Sequence, residues 1–175
     1  MGERLAGVCM HLTSLPGPYG IGELGGHALA FIDRLCDMNL AVWQFLPTGP
    51  TAYGDSPYQP LSTFAGNEML IDIGDLIGRG FLTDDEVGEL TTLPERSVDY
   101  GALIPVKSQL LRTAAVRFRE SAGPELQAVY GRFLAENDDK WLHDYALFRI
   151  LKTRHGERPW PEWQPEYARR DPAAI

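Results

Sequence analysis

The sequence predicts an α/β fold in which a β-α-β unit precedes a mostly helical region. In the first 70 residues an apolar run, a helical apolar stripe and a second apolar run follow one another. Charge is also uneven, because these 70 residues hold eight charged side chains whereas the remaining 105 hold 32. Low charge with many glycines and prolines is typical of strands and loops, and dense charge is typical of solvated helices. We therefore expect one part at residues 1–70 and another at residues 71–175.

The first part contains three predicted elements. Residues 5–12 are a short apolar run between turn residues, which predicts a strand buried on both faces. Residues 41–47 form a second such run, ended by Pro47. Because a helix connects the two strands, we expect them to be parallel. That helix is predicted from apolar residues that recur on one face, namely Ala28, Phe31, Ile32, Leu35 and Cys36.

The second part is predicted to be mostly helical. Thr83 and Glu86 have the spacing of a capping box, which indicates the start of a helix. Apolar stripes with helical spacing begin at Leu110, Leu126 and Trp141, and they predict three further helices. Residues 159–165 are rich in proline and tryptophan and are predicted to be a loop.

Composition argues against several classes of partner. The net charge is −8 and lysine occurs at only three positions, so no basic patch for a nucleic acid is expected. The apolar run at residues 5–10 is too short for a signal peptide or a membrane span, and we expect no membrane partner. Cys9 and Cys36 lack the spacing of a redox or metal motif. They are expected to be buried thiols in a reducing compartment, which predicts a cytoplasmic protein.

A glycine motif raises the possibility of a nucleotide site. Gly20, Gly22 and Gly25 match the GxGxxG pattern of dinucleotide-binding proteins. In those proteins the glycines follow the first strand directly, and an acidic residue ends the second strand. Here residues 13–19 intervene and residues 43–47 contain no acid, so both parts of the context argue against a nucleotide.

Metal ligands are not predicted, because the four histidines are far apart in the sequence and no pair has the spacing of a helical zinc site. His11 is the histidine of most interest, since it follows the first strand. In α/β proteins that end of a strand carries ligand-facing groups. The alternative is that His11 is a hydrogen-bonded structural histidine.

The most informative segment is residues 47–60, which we call the tyrosine loop. It combines Tyr53 and Tyr58 with Asp55 and Ser56, and it contains four prolines but no large aliphatic residue. Sugar rings stack on aromatic side chains, and a carboxylate accepts hydrogen bonds from neighbouring sugar hydroxyls. Prolines and glycines fix such groups before a ligand binds, which lowers the entropy cost of binding. The loop has the chemistry of a sugar-binding surface, although its tyrosines could instead merely cover the edge of the sheet.

Several co-linear motifs resemble the amylomaltase family, the 4-α-glucanotransferases of glycoside hydrolase family 77. Three segments carry most of the resemblance, HLTSLPGPYGIG at 11–22, WQFLP at 43–47 and YGDSPYQ at 53–59. Further segments continue it in the same order, namely FAGN at 64–67, LID at 70–72, VDY at 98–100 and WLHDYALF at 141–148. The chain resembles the N-terminal third of that family.

The resemblance implies a fold and an activity. The fold would be the N-terminal part of a (β/α)8 TIM barrel with an inserted, mostly helical subdomain. The activity would be transfer of α-1,4-glucan segments between malto-oligosaccharides by a retaining double displacement, which needs no cofactor. The family's catalytic carboxylates lie in its later two-thirds, so no catalytic residue is assigned here and the chain alone is expected to be inactive.

The resemblance also implies roles for individual residues. Tyr58 matches the tyrosine that packs against the sugar at the cleavage point, and Ser56 and Asp55 match residues that line the same cleft. Tyr53 matches an aromatic residue of a second glucan site, whose usual aromatic partner would fall near Ile104. Two other functions remain as alternatives, a non-catalytic glucan-binding module that uses the tyrosine loop and a nucleotide-binding β-α-β protein.

Overall fold

The computed structural model describes residues 4–175, except for the side chain of Tyr53. These residues form two compact units, one that ends at Ala122 and a second at Gly123–Ile175. The first unit contains β1 (Gly7–Cys9), α1 (Gly26–Asp37), β2 (Val42–Gln44), α2 (Ile73–Gly78) and α3 (Tyr100–Ser121). The second contains α4 (Pro124–Asn137), α5 (His143–Arg154) and α6 (Pro165–Ala168). The division expected between residues 70 and 71 stays a prediction.

The β-α-β unit is confirmed, because β1 and β2 pair in parallel on either side of α1. Gly7 lies opposite Val42, and a Cβ atom at Gly7 would come within 2.3 Å of the Val42 carbonyl oxygen. Glycine at this position therefore allows the two backbones to approach. Beyond the strands, the Met10 amide donates to the Gln44 carbonyl at 2.9 Å, and the Trp43 indole donates to the Met10 carbonyl at 2.8 Å.

The two strands are shorter and more exposed than predicted. Each has three residues, and in both the flanking residues are exposed while only the central one is half-buried. Burial on both faces was therefore a wrong prediction for the described chain, in which each strand pairs only with the other. Cys9 and Cys36 are also exposed, contrary to expectation. The core beside the sheet consists of Leu12, Leu15, Ala28 and Leu70, with Met10, Phe31 and Trp43 packed against it.

The capping box exists but does not start a regular helix. The Glu86 carboxylate accepts hydrogen bonds from the Thr83 amide and hydroxyl, both at 3.0 Å. Turns and a 3-10 turn at Leu90–Thr92 follow instead of the predicted helix. The same carboxylate forms two hydrogen bonds of 2.7 Å with Arg117 of α3, which ties this segment to the long helix. At this segment the predicted local helix is absent and a tertiary contact with α3 is present.

The second unit contains the last two predicted helices. α4 and α5 are joined by one π-helical turn at Asp138–Leu142. The predicted loop at residues 159–165 is instead a 3-10 turn, Trp160–Glu162, followed by the start of α6. On α4, the apolar stripe residues Val129 and Phe133 remain more than 40% exposed. Within residues 4–175, no helix is long and apolar enough to cross a membrane.

Candidate functional site

The tyrosine loop leaves the carboxyl end of β2 and is closed by backbone contacts at its base. Thr51 and Pro60 form an isolated antiparallel bridge. Next to it the Leu61 amide donates to the Pro50 carbonyl at 2.8 Å. Gly49 lies against the returning chain, where a Cβ atom would come within 2.9 Å of Pro60. These contacts hold the two ends of the loop together.

The tip of the loop is a 3-10 turn at Tyr53–Asp55. Gly54 and Asp55 both have left-handed backbone angles, with φ of 72° and 55°. Asp is one of the few residues other than glycine that adopts this conformation without severe cost. The Ser56 hydroxyl oxygen accepts from the Tyr58 amide at 3.3 Å, so the hydroxyl hydrogen is left to donate elsewhere. The turn therefore fixes the backbone that carries the predicted site residues.

The structure presents Tyr58 to solvent with 68% of its surface exposed. Asp55 and Ser56 are half-buried beside it in the chain. The side chain of Tyr53 lies outside the described residues, and Ile104, expected near a second site, is 37% exposed on α3. An exposed ring on a braced loop has the geometry of a stacking surface. The roles of Tyr58, Ser56, Asp55 and Tyr53 stay predictions.

Two exposed aromatic residues flank the tyrosine loop in the chain and were not predicted as site residues. Phe64 follows the loop and is 71% exposed; its amide and that of Ala65 both donate to the Ser62 hydroxyl oxygen at 3.1 Å. Phe45 follows β2, is 49% exposed, and contacts Trp43 edge-to-face at 5.7 Å. Phe45 belongs to an apolar run, and such a pattern predicts a core residue. Its exposure could be found only from the structure.

His11 lies at the carboxyl end of β1, the same edge of the sheet from which the tyrosine loop leaves β2. Burial lowers the pKa of its imidazole, so the neutral ring is favoured. Its buried Nδ1 atom has no hydrogen-bond partner among residues 4–175. Within the described chain the Nδ1 atom therefore lacks the hydrogen bond that a structural histidine would be expected to make there.

A buried ion pair lies beneath the returning end of the loop. The Asn67 amide donates to the Thr48 carbonyl at 2.8 Å, and two residues later the Met69 carbonyl accepts from the Lys107 ammonium at 2.8 Å. Lys107 is fully buried and also forms an ion pair with Glu23, whose other oxygen accepts from the Ile73 amide. Burial raises the pKa of Glu23 and lowers that of Lys107, and each charge opposes the other's shift.

This pair was missed because its residues are 84 positions apart and nothing local marks either one. Glu23 follows a glycine-rich segment, and Lys107 occurs on a helix where lysine is normally exposed. The pair joins the segment after β1, the segment after the tyrosine loop and α3. It is a structural anchor for the site.

The glycine motif makes internal contacts that leave no room for a phosphate. A Cβ atom at Gly22 would come within 2.1 Å of the Leu12 carbonyl oxygen. At Gly25, which precedes α1, a Cβ atom would come within 1.2 Å of the Asp72 carboxylate. That carboxylate caps α2 by accepting from the Asp75 amide at 2.6 Å. A negative charge therefore lies where a dinucleotide site needs room for a pyrophosphate, which argues against that alternative.

Metal ligation finds no support in the described part of the chain. No group of three or more His, Cys, Asp or Glu side chains there is arranged to hold an ion. The polar side chains of the tyrosine loop are hydroxyls, one amide and one carboxylate, which together can donate to and accept from the hydroxyls of a neutral polyhydroxylated ligand.

Comparisons with known proteins identify the family. A family model described as 4-alpha-glucanotransferase matches residues 10–175. The 4-alpha-glucanotransferase of Thermus thermophilus is 44% identical over 172 residues, which cover 98% of this chain and 33% of that protein. The plastid 4-alpha-glucanotransferase DPE1 of Arabidopsis thaliana is 36% identical over 176 residues, covering 99% of this chain and 30% of that protein.

A solved structure agrees with these relatives. The amylomaltase from Streptococcus agalactiae in complex with acarbose superposes with a TM-score of 0.89 at 36% identity, covering 98% of this chain and 34% of that one. The chain thus spans about a third of the length of the proteins that it matches. The chain belongs to the 4-alpha-glucanotransferase family, glycoside hydrolase family 77.

Proposed function

We propose that this chain forms the N-terminal third of an enzyme that transfers α-1,4-glucan segments between malto-oligosaccharides. Beyond family membership, one observation carries the proposal. A braced loop at the carboxyl end of two parallel strands exposes Tyr58, and α/β barrels bind their ligands at that end. The acarbose complex of the structural neighbour supports a saccharide as the ligand class.

The reaction would be a retaining double displacement. A carboxylate attacks the anomeric carbon while a glutamic acid protonates the departing glycosidic oxygen, which leaves a glycosyl-enzyme. The 4-hydroxyl of a second glucan then attacks that intermediate and returns its proton to the glutamate. A transferase must favour this sugar over water, and a rigid aromatic surface that positions the acceptor provides that preference.

Each residue of the loop would have a distinct role. Tyr58 would stack on the sugar at the cleavage point, and the Ser56 hydroxyl would donate to a sugar hydroxyl. The Asp55 carboxylate would accept hydrogen bonds from neighbouring hydroxyls. Tyr53 would contribute to a second glucan site, which Ile104 could complete only by apolar contact.

The fold of the whole enzyme would be a (β/α)8 barrel. β1 and β2 would be its first strands, and residues 71–175 would belong to an inserted, mostly helical subdomain. Exposure of Leu5 at 62% and Val42 at 40% supports this, because apolar side chains of parallel sheets are normally covered on both faces. Further strands and helices would supply that cover.

The isolated chain would lack activity. A retaining mechanism needs two carboxyl groups about 5–5.5 Å apart across the scissile bond. The family resemblance places both carboxyl groups in the later two-thirds of the family's length, and the buried Glu23 of this chain is held in an ion pair with Lys107. We therefore assign no catalytic residue to this chain.

The decisive experiment measures kcat/KM for glucose release from maltotriose by the full-length enzyme. Tyr58→Ala should lower kcat/KM by about 2- to 13-fold, since an aromatic contact contributes about 0.5–1.5 kcal/mol and about 1.4 kcal/mol is tenfold in rate. Tyr58→Phe keeps the ring and should retain most activity. Tyr130→Ala, on α4, removes another exposed tyrosine, which is 44% exposed, and serves as the control. An unchanged kcat/KM in Tyr58→Ala would contradict the stacking role.

The same assay tests the isolated chain. No glucose should appear when the 175-residue protein is incubated with maltotriose, and any enzymatic release would show that the catalytic carboxylates lie within it. A glucan-binding module is the second candidate, favoured by the preformed loop. A full-length protein that binds maltoheptaose but releases no glucose would support that alternative.

A further inference from the structure

The second unit contains a cavity that has no part in the site described above. It has a volume of about 290 Å³, just below the usual range of about 300–1,000 Å³ for small-molecule pockets. Its walls are mainly aromatic and aliphatic side chains, and a charged pair, Asp144 and Arg170, lies among its lining residues. The cavity thus offers apolar walls together with one hydrogen-bond donor, Arg170, and one acceptor, Asp144, and these features restrict which ligands can bind.

The inner wall of the cavity is rigid. Trp163 is 7% exposed, its indole donates to the Arg158 carbonyl at 3.0 Å, and its ring stacks on His155 at 5.1 Å. Phe148 packs on the same indole at 5.8 Å, and Leu151 is buried beside them. These contacts fix the wall before any ligand binds, so little entropy is lost there on binding.

Trp160 provides the accessible surface of the cavity. It is 56% exposed, so much of its indole ring is open to solvent. Pro159 and Pro161 flank it and restrict the backbone of the 3-10 turn on which it lies. An exposed indole on a restrained turn can stack on the C–H face of a sugar ring and donate one hydrogen bond.

The charged pair decides between ligand classes. The Arg170 guanidinium donates to the Asp144 carboxylate at 2.5 Å, and both side chains are about 60% exposed. The arginine holds the pKa of the Asp144 carboxyl below its usual range, so the pair is charged at neutral pH. An apolar ligand would cover these charges without replacing their water, and an ion would meet a pair that is already neutralised. A neutral polyol that also has an apolar face satisfies both surfaces.

We propose that this cavity binds a short α-1,4-glucan segment, with one sugar ring stacked on Trp160 and its hydroxyls hydrogen-bonded to Asp144 and Arg170. The choice of an α-glucan among neutral saccharides rests on the proposed function. The cavity lies wholly within the second unit, so its binding requires neither the tyrosine loop nor catalysis.

The test follows the indole N–H signals of the 175-residue protein by NMR during titration with maltoheptaose. The chain has four tryptophans, so each indole reports separately. The Trp160 signal should shift saturably, while that of Trp43, in the first unit, reports on the tyrosine-loop side. Tyr58→Ala should leave the Trp160 titration unchanged, which separates this site from the proposed glucan cleft.

Variants complete the design. Trp163 also lines the cavity, so its signal should shift saturably in the wild type, and Trp160→Ala should remove that shift. Asp144→Asn with Arg170→Gln should raise the apparent Kd by at least about tenfold, the loss of two charge-assisted hydrogen bonds. An unchanged Trp43 signal and far-UV circular dichroism would show that the fold is intact. A Trp160 signal that fails to shift at millimolar maltoheptaose would overturn the proposal. An equal shift of that signal with cellohexaose would overturn the assignment of the ligand as an α-glucan. Neither result bears on maltotriose disproportionation by the full-length enzyme.

Discussion

Replacement of Lys107 by methionine should destabilise the first unit by about 3–5 kcal/mol, the usual cost of breaking a buried ion pair. Lys107 is fully buried, and its ammonium group serves both the Glu23 carboxylate and the Met69 carbonyl. Methionine has a similar length but donates no hydrogen bond. The carboxylate would keep only the Ile73 amide at 3.2 Å, and the Met69 carbonyl would lose its side-chain donor. Each orphaned polar group contributes about 1–3 kcal/mol to that total.

The assay is urea-induced unfolding of the 175-residue chain, followed by far-UV circular dichroism. The double variant Glu23→Gln with Lys107→Met should be more stable than Lys107→Met alone, because no uncompensated charge remains. Lys140→Met removes an exposed lysine and should change the free energy of unfolding by less than about 0.5 kcal/mol. A loss below about 1 kcal/mol in Lys107→Met would refute the reasoning.

The pH dependence of Lys107→Met gives a second measure. Burial raises the pKa of Glu23 above the ordinary value of 4.5, and removal of the ammonium leaves that shift without its main opposing cause. A carboxyl with a raised pKa in the folded state favours the folded state below its unfolded pKa, and this advantage is lost as pH rises through the folded value. The variant should therefore be closer to the wild type at pH 5 than at pH 8. The double variant should show no such trend.

Three further predictions concern the rest of the first unit. The Arg117 guanidinium lowers the pKa of Glu86 to about 2, so this carboxylate stabilises the fold fully above pH 4.5 and progressively less as pH falls towards 2; NMR titration should show the low midpoint and Arg117→Ala should raise it. Cys9 and Cys36 are exposed, so a thiol reagent should modify both without denaturant, whereas buried thiols would react only after unfolding. Gly7→Ala should cost about 1–3 kcal/mol in urea unfolding, because the new methyl group would overlap a carbonyl of the facing strand, and wild-type stability would contradict that close approach.

Local signals in the sequence identified most elements of the fold. The stripe from Ala28 to Cys36 predicted α1, and the crossover rule predicted the parallel pairing of β1 and β2. Burial of the strands was predicted wrongly because it depends on which elements cover them, and a run of apolar residues carries no information about those neighbours. At the predicted capping box the Glu86 carboxylate accepts from the Thr83 amide as expected. The same carboxylate also accepts from Arg117, which is 31 residues away and could not be predicted from the local pattern.

For the candidate site, too, features set by neighbouring residues in the chain were predictable, whereas features set by distant residues were not. Pro/Gly spacing predicted a rigid loop, and the backbone contacts at its base agree with that expectation. The exposed rings of Phe45 and Phe64 were not predicted as part of a surface, because exposure is decided by tertiary packing. The Lys107–Glu23 pair was missed for the same reason, since each partner is ordinary in its own segment.

The stability of the first unit and the position of the tyrosine loop both depend on this pair. The Asn67 amide closes the segment that begins at Thr48, and two residues later the Met69 carbonyl is held by Lys107. The loop that exposes Tyr58 lies between Thr48 and Asn67, and Asn67 is two residues before the carbonyl that Lys107 holds. A preformed loop binds a sugar with less entropy loss than one that must order. We therefore expect loss of the ammonium group to loosen the tyrosine loop as well as the core, although Lys107 itself lies outside the loop.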